Sequence, residues 1–165
     1  MRVTFATQAA PGRANEDFVA ATPDAAVLLD GAGTPPGSDS GCSHGVAWYS
    51  RTLGSTLIAS ISQGPNPLPE LVPADSVLVL DITGNIPADR VRAAALLSDG
   101  ASRLVDRFHL TTWREALDTL DQHGPADLIT TVRAAAYSDP DGERWPRGKT
   151  YDDATAAHIS FTTTE

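Results

Sequence analysis

Short apolar runs alternate with turn-forming residues at the start of the chain. The runs predict strands at 2–7, 17–21 and 25–29, separated by turns that contain proline. Because short turns bring consecutive strands side by side, we expect an antiparallel sheet here. The segment 31–45 is rich in glycine, proline and serine, which predicts an irregular loop.

Helical spacing replaces this alternation after residue 45. Apolar residues recur every three or four positions over 45–61, which predicts an amphipathic helix packed on the sheet. Its buried stripe is expected to contain Val46, Tyr49, Leu53, Leu57 and Ile61. A proline-rich connector then ends the helix.

The second half of the chain carries three more predicted helices, at 101–108, 113–123 and 126–136. The middle one begins after Thr112, and Glu115 follows three positions later, which is the spacing of a capping box. Leu117 and Leu120 are expected on its apolar side.

Three further apolar runs predict strands at 76–82, 93–98 and 155–161. Two consecutive helices bracketed by strands favour an α+β layered sandwich over a doubly wound parallel sheet. With 165 residues, the chain is predicted to form one domain.

Charge and composition exclude several classes of partner. The formal net charge is −9, which disfavours nucleic acid and anionic membranes. No apolar run is long enough to span a membrane or to form a signal peptide, so a soluble, cytoplasmic protein is expected. Cys42 is the only cysteine, which excludes an internal disulfide and a structural zinc site made of cysteines. The oligomeric state is left open.

Acidic residues stand where predicted strands begin or end. Asp30 and Asp99 each follow an apolar strand and each precede a glycine, which would leave the backbone carbonyl accessible. Asp152 and Asp153 precede the last strand, and Glu16-Asp17 precede the second. Carboxylates and carbonyls are the ligands of hard cations, so this pattern indicates Mg²⁺ or Mn²⁺. An isolated Asp-Gly pair is more often a simple turn, but four such positions in one small domain favour a site.

Other motifs are given simpler interpretations. The sequence 41–45 fits the pattern of a nucleophile elbow but lacks the strand before it, so Ser43 is interpreted as a helix cap. The acidic stretch 139–142 is predicted to be a turn rather than a calcium loop. The basic residues of 138–151 are either phosphate contacts or a solvated surface, and the three tryptophans are interpreted as packing residues rather than a recognition surface.

Five short blocks of sequence also carry a family resemblance, and they occur in the family's order from near the N-terminus to the last strand. The blocks are Arg13-Ala14-Asn15-Glu16-Asp17, Val27-Leu28-Leu29-Asp30-Gly31-Ala32-Gly33, Ala74-Asp75-Ser76, Leu96-Leu97-Ser98-Asp99-Gly100 and Asp152-Asp153-Ala154-Thr155. Together they resemble the signature blocks of the PP2C-type (PPM) metal-dependent protein serine/threonine phosphatases, in particular bacterial members. The resemblance implies an α-β-β-α sandwich of two mostly antiparallel sheets, shortened in the middle.

The resemblance also implies a role for each matching residue. Asp30 would bridge two Mg²⁺ or Mn²⁺ ions, and the carbonyl of Gly31 would bind the second ion. Asp99 and Asp152 would complete the coordination of the first ion. Glu16 and Asp17 would act mainly through metal-bound waters, and Arg13 would hold the phosphate of a phosphorylated protein substrate. Two cations sharing a water would activate it for in-line attack on phosphorus.

Two functions remain open at this stage. The complete set of aspartates favours a phosphatase that hydrolyses phosphoserine and phosphothreonine. The alternative is a non-catalytic, phosphatase-like binding or regulatory domain. This alternative is suggested by the short middle of the chain and by Arg13, which lies four residues before Asp17 where many relatives have five.

Overall fold

The computed structural model describes residues 1–33, 43–64 and 86–161. The fold is α+β. Its strands are β1 (Arg2–Gln8), β2 (Phe18–Ala21), β3 (Ala26–Leu29), β4 (Ala93–Leu97) and β5 (Ala154–Ser160). Its helices are α1 (Val46–Gln63), α2 (Asp99–Asp106), α3 (Trp113–Gln122) and α4 (Pro125–Ser138), and a short 3₁₀ turn covers Ala88–Arg90. The predicted strand 76–82 lies outside the described residues.

The strands form two small antiparallel sheets. In the larger sheet β5 lies between β1 and β4, and in the smaller one β2 pairs with β3. The central strand β5 is buried along almost its whole length, because α2 and α4 cover one of its faces and β2 also lies against it. Helix α1 packs on the β2–β3 hairpin. The antiparallel pairing predicted from the short turns is confirmed for β2 and β3, whereas β1 pairs with β5 and not with β2.

The core lies between the larger sheet and the three C-terminal helices. One cluster joins the sheet to α2, α3 and α4, and is made of small and medium side chains such as Ala156, Leu120 and Leu128. A second cluster surrounds the contact between Phe108 and Trp145, whose ring centres are 4.9 Å apart. The alanines of β5 allow the helices to approach the sheet closely.

Helix boundaries follow the local signals in the sequence. The capping box predicted at Thr112 is present: its Oγ1 accepts the N–H of Glu115, and the Glu115 carboxylate accepts the N–H of Thr112. Pro125 occupies the first turn of α4, where its missing N–H costs nothing. Helix α1 begins at Gly45 without any side-chain cap, so the interpretation of Ser43 as its cap is wrong.

Several expected core positions are on the surface. Tyr49 and Leu117 are exposed. Helix α1 buries Leu57, as expected, together with Ser50 and Gly54. A side chain at Gly54 would collide with the Phe18 ring, so the hairpin lies against a slightly rotated face of the helix. Of the three tryptophans only Trp145 is buried. Within the described residues, no helix is both long and apolar enough to cross a membrane.

Candidate functional site

Four of the predicted acidic residues meet at one end of the sheets. Asp30 directly follows β3, Asp99 is the first residue of α2, and Asp17 and Asp152 lie just before β2 and β5. Burial raises the pKa of the Asp30 carboxyl; the N–H of Asp99 partly opposes this, and the negative charges of Asp99, Asp17 and Asp152 raise it further. The fold therefore gathers these carboxylates into one electrostatically coupled group, called here the carboxylate cluster.

Asp30 connects the two halves of the fold. Its Oδ2 accepts a hydrogen bond of 2.8 Å from the backbone N–H of Asp99, at the first turn of α2. The residue that precedes this helix, Ser98, makes no side-chain cap, so Asp30 supplies the acceptor from the β3 end. The positive end of the helix dipole favours a carboxylate at this position. Asp30 is thereby held in a fixed orientation toward the cluster.

Asp17 is the most enclosed member of the cluster, with only 7% of its surface exposed. Its Oδ2 is buried and has no hydrogen-bond partner among the described residues. Burial raises the pKa of the Asp17 carboxyl; the hydroxyls of Thr155 and Ser98 and the backbone of Gly31 oppose the shift, and the charge of Asp153 adds to it. An oxygen that has lost water without gaining a donor is available to a cation.

Asp152 is the member of the cluster that already has cationic partners. Arg103 Nη2 lies 2.8 Å from its Oδ2, and Lys149 Nζ lies 3.2 Å from its Oδ1. The Arg103 side chain is mostly buried, whereas that of Lys149 is half exposed. Arg103 is not among the site residues predicted from the sequence. Its position four residues after Asp99 on one helix was the available signal, since such residues share a face.

Asp153 has a structural role. Its two carboxylate oxygens accept the backbone N–H groups of Ala10 and Glu16, at 2.7 and 2.8 Å. The residue therefore ties the start of β5 to the connection between β1 and β2, where Glu16 and Asp17 lie. Arg133, itself buried, donates to the carbonyls of Gln8 and Ala9 in the same connection.

The glycines that follow the two strand-end aspartates allow close packing. A Cβ at Gly31 would collide with the backbone of Glu16, and one at Gly100 would collide with the carbonyl of Asp153. Neither glycine has a positive φ. In the structure, the small size of these glycines brings the loops of the cluster together.

Glu16 and Arg13 lie on the connection between β1 and β2. The Glu16 carboxylate lies beside Gly33, just beyond Asp30, because a Cβ at Gly33 would be 3.1 Å from Glu16 Oε2. Arg13 is exposed after a turn closed by its N–H and the Ala10 carbonyl. In the described part of the chain its side chain has neither a hydrogen bond nor an ion pair.

An apolar groove of about 520 Å³ opens beside the cluster. Asp30 and Gly31 form its polar edge, and its floor and far wall come from Val46, Tyr49 and Leu53 of α1. The exposed Tyr49 ring therefore faces a groove rather than the core.

Two of the basic residues in the loop 138–151 make contacts within the loop. Arg147 is buried and donates to Asp139 Oδ2 at 2.7 Å, and the Arg144 guanidinium lies 4.3 Å from the centre of the Trp145 ring. The stretch 139–142 forms the turn that was predicted.

The nucleophile-elbow alternative gains no support from the geometry. The first two residues of its motif lie outside the described residues. Ser43 is exposed, and its Oγ lies 3.4 Å from His44 Nδ1 at the edge of hydrogen-bonding distance.

The carboxylate cluster is not a ready-made metal site. Over residues 1–33, 43–64 and 86–161, no three acidic, histidine or cysteine side chains are already arranged to hold an ion. The pairing of Asp152 with Arg103 and Lys149 gives a physical reason, because these cations already neutralise one of the carboxylates.

Searches against protein-family models, curated proteins and solved structures find no match to this chain.

Proposed function

We propose that this protein is a Mg²⁺- or Mn²⁺-dependent phosphatase of the PP2C type, acting on phosphoserine and phosphothreonine in proteins. The observation that carries the proposal is the carboxylate cluster, in which the buried Asp17 Oδ2 has no hydrogen-bond partner among the described residues and burial raises the pKa values of Asp17 and Asp30. Mutually repelling carboxylates destabilise a fold unless a ligand compensates them. A divalent cation is the ligand that fits an all-oxygen donor set.

The residues that would hold two ions are those expected from the sequence. Asp30, Asp99 and Asp152 and the carbonyl of Gly31 would bind directly, and Asp17 would act mainly through metal-bound waters. When bound, the ions would acidify a water and neutralise negative charge on the phosphoryl group. Glu16, beside Gly33, would complete the acidic rim.

The protein's own groups orient and bind the substrate. The bond from the Asp99 N–H keeps Asp30 in one position, so little reorganisation is needed at the site. Arg13, which has no partner among the described residues, would bind the phosphate, because a guanidinium can make two parallel bonds to phosphate oxygens. The groove lined by Tyr49 and Leu53 would accept an apolar side chain next to the phosphorylated residue.

The proposal includes the layered fold and a cytoplasmic location. The α-β-β-α order is supported by α1 packing on the β2–β3 hairpin, by β2 contacting β1 and β5, and by α2 and α4 packing on β5. A cytoplasmic location is supported by the single cysteine, since reducing compartments do not require disulfides.

A second candidate is a metal-free, phosphatase-like binding domain. The observation that favours it is the pairing of Asp152 with Arg103 and Lys149, which already neutralises one of the proposed ligands. The two candidates differ in one measurable property, because only the phosphatase requires a divalent cation.

The test is hydrolysis of p-nitrophenyl phosphate by the purified protein, with Mn²⁺ and with EDTA. We expect turnover with Mn²⁺ that EDTA abolishes, and a loss of roughly 1000-fold in Asp30→Asn and in Asp99→Asn, because each removes a ligand of the catalytic ions. Asp106→Asn is the matched control, since Asp106 is an exposed aspartate at the other end of α2. Absence of turnover, together with absence of Mn²⁺ binding by calorimetry, would overturn the proposal.

A further inference from the structure

A second cavity lies at the opposite end of the larger sheet from the carboxylate cluster. Its volume is about 610 Å³, within the range of small-molecule sites. Its walls come from the start of β4, from one face of α3, and from His158 near the end of β5. None of the proposed phosphatase residues lines it, so it has no role in the proposed reaction.

His158 provides a buried polar group on the wall of this cavity. Its side chain is only 8% exposed, and its Nε2 has no hydrogen-bond partner within the described part of the chain. Asp121 Oδ1 lies 3.7 Å from this nitrogen, which is too long for a hydrogen bond. A buried ring nitrogen without a partner is costly, so a ligand that bonds to it gains affinity.

Three arginines make this cavity positive in an otherwise acidic protein. Arg90, Arg92 and Arg114 line it, and among the described residues the acidic side chains that line it are those of Asp118 and Asp121. No hydrogen bond or ion pair of these three guanidinium groups occurs among the described residues. The local charge is thus opposite in sign to the net charge of −9, and an anion is favoured.

A flat apolar surface completes the cavity. Trp113 is 49% exposed, and Leu117 follows it one helical turn later on the same face of α3. Ile86, which is 71% exposed, faces them across the opening. An exposed tryptophan between arginines offers a stacking surface for a planar ring.

We propose that this cavity binds a small anion that carries a planar ring, and that nucleoside monophosphates are the chemical class that matches its walls. The arginines would bind the phosphate, and the base would stack on Trp113. The carboxylates of Asp118 and Asp121 would accept hydrogen bonds from the ribose hydroxyls, as acidic residues do in nucleotide sites. His158 Nε2 would make the remaining polar contact.

The test is fluorine NMR of the full chain labelled with fluorotryptophan, titrated with AMP in EDTA so that no metal-dependent turnover occurs. The three tryptophans give three resonances, and Trp113→Phe identifies one of them. We expect AMP to shift the Trp113 resonance saturably and those of Trp48 and Trp145 little. Adenosine, which lacks the phosphate, and ribose phosphate, which lacks the base, should each bind at least about ten-fold more weakly.

Variants separate this site from nonspecific binding. Arg92→Gln and Arg114→Gln should each weaken AMP binding by about ten-fold, whereas Arg51→Gln, an exposed arginine on α1, should not. His158→Gln should also weaken binding while near-UV circular dichroism shows a folded protein. No shift with any probe, equal binding by Arg92→Gln and Arg51→Gln, or tighter binding of a short oligonucleotide than of AMP would overturn the proposal. The result is independent of phosphatase activity.

Discussion

Asp17 and Asp139 are buried to the same extent, each 7% exposed, yet their surroundings are opposite. Desolvation alone would raise the pKa of Asp139, but Arg147 and two backbone N–H groups bond to its carboxylate and lower the pKa overall. Burial raises the pKa of Asp17, and its Oδ2 has no partner among the described residues. Burial alone therefore does not define a site. A buried carboxylate whose oxygens all have partners stabilises the fold, whereas a buried oxygen without a partner is available for a ligand.

The largest effect is expected at the paired carboxylate. Asp139→Asn removes the charge that faces Arg147, whose side chain is only 3% exposed, and leaves a buried cation without its partner. We expect the melting temperature to fall by roughly 10 °C, because removing one member of a buried ion pair is strongly destabilising. Calorimetric melting in EDTA measures this. An unchanged midpoint would mean that the ion pair does not support the loop.

The opposite sign is expected at the unpaired carboxylate. Asp17→Asn removes a charge whose burial is unfavourable and keeps a group that can bond to the nearby hydroxyls of Ser98 and Thr155. In EDTA its melting temperature should rise by a few degrees above that of the unmodified protein. A fall comparable with that of Asp139→Asn would show that Asp17 is a structural residue as well.

The two carboxylates should also give opposite pH dependences. The ordinary pKa of both is 3.8. Asp17 has a raised pKa in the folded state, so the folded protein binds more protons than the unfolded one above pH 3.8, and stability falls as the pH rises through the raised value. Asp139 has a lowered pKa, so its contribution is present above 3.8 and is lost as the pH falls through the lowered value.

Urea unfolding in EDTA, from acidic to neutral pH, checks these signs. Asp17→Asn should reduce the fall in stability above pH 3.8. Asp139→Asn should reduce the loss of stability as the pH falls below 3.8. Asp106→Asn, at an exposed position, serves as the control and should leave both pH-dependent changes in stability as they are in the unmodified protein. Identical profiles for all three variants would contradict the assigned causes.

The smallest effect is expected at Asp152, which belongs to the carboxylate cluster like Asp17 but has cationic partners like Asp139. Arg103 and Lys149 neutralise it, so a divalent cation must compete with them. Arg103→Gln should raise the affinity for Mn²⁺ by about ten-fold, and Lys149→Gln by less, because the exposed lysine is screened by solvent. Titration calorimetry provides both values. Weaker Mn²⁺ binding in Arg103→Gln would mean that Arg103 positions Asp152 instead of competing for it.

Most elements of the fold could be predicted from the sequence because local signals determine them. The strands near the N-terminus follow from alternation and tight turns, and the starts of α3 and α4 follow from the capping box at Thr112 and from Pro125. Which face of a helix is buried depends on its neighbours. Tyr49 was expected in the core, but Phe18 packs at Gly54 and leaves that ring exposed.

The candidate site could be predicted in its acidic residues but not in their partners. Asp30 and Asp99 each lie just beyond the end of a strand, and this pattern is visible in the sequence. The topology then places both residues at one edge of the fold. The pairing of Asp152 with Arg103 requires the loop before β5 to reach α2, and no local signal encodes that approach. The same holds for Asp153, whose carboxylate binds backbone N–H groups more than a hundred residues away in sequence.

Titration calorimetry with Mn²⁺ at neutral pH tests most directly whether the carboxylate cluster binds a divalent cation. We predict saturable binding by the unmodified protein, loss of that binding in Asp30→Asn, and unchanged binding in Asp106→Asn. No binding by the unmodified protein, or equal binding by Asp30→Asn, would contradict the claim.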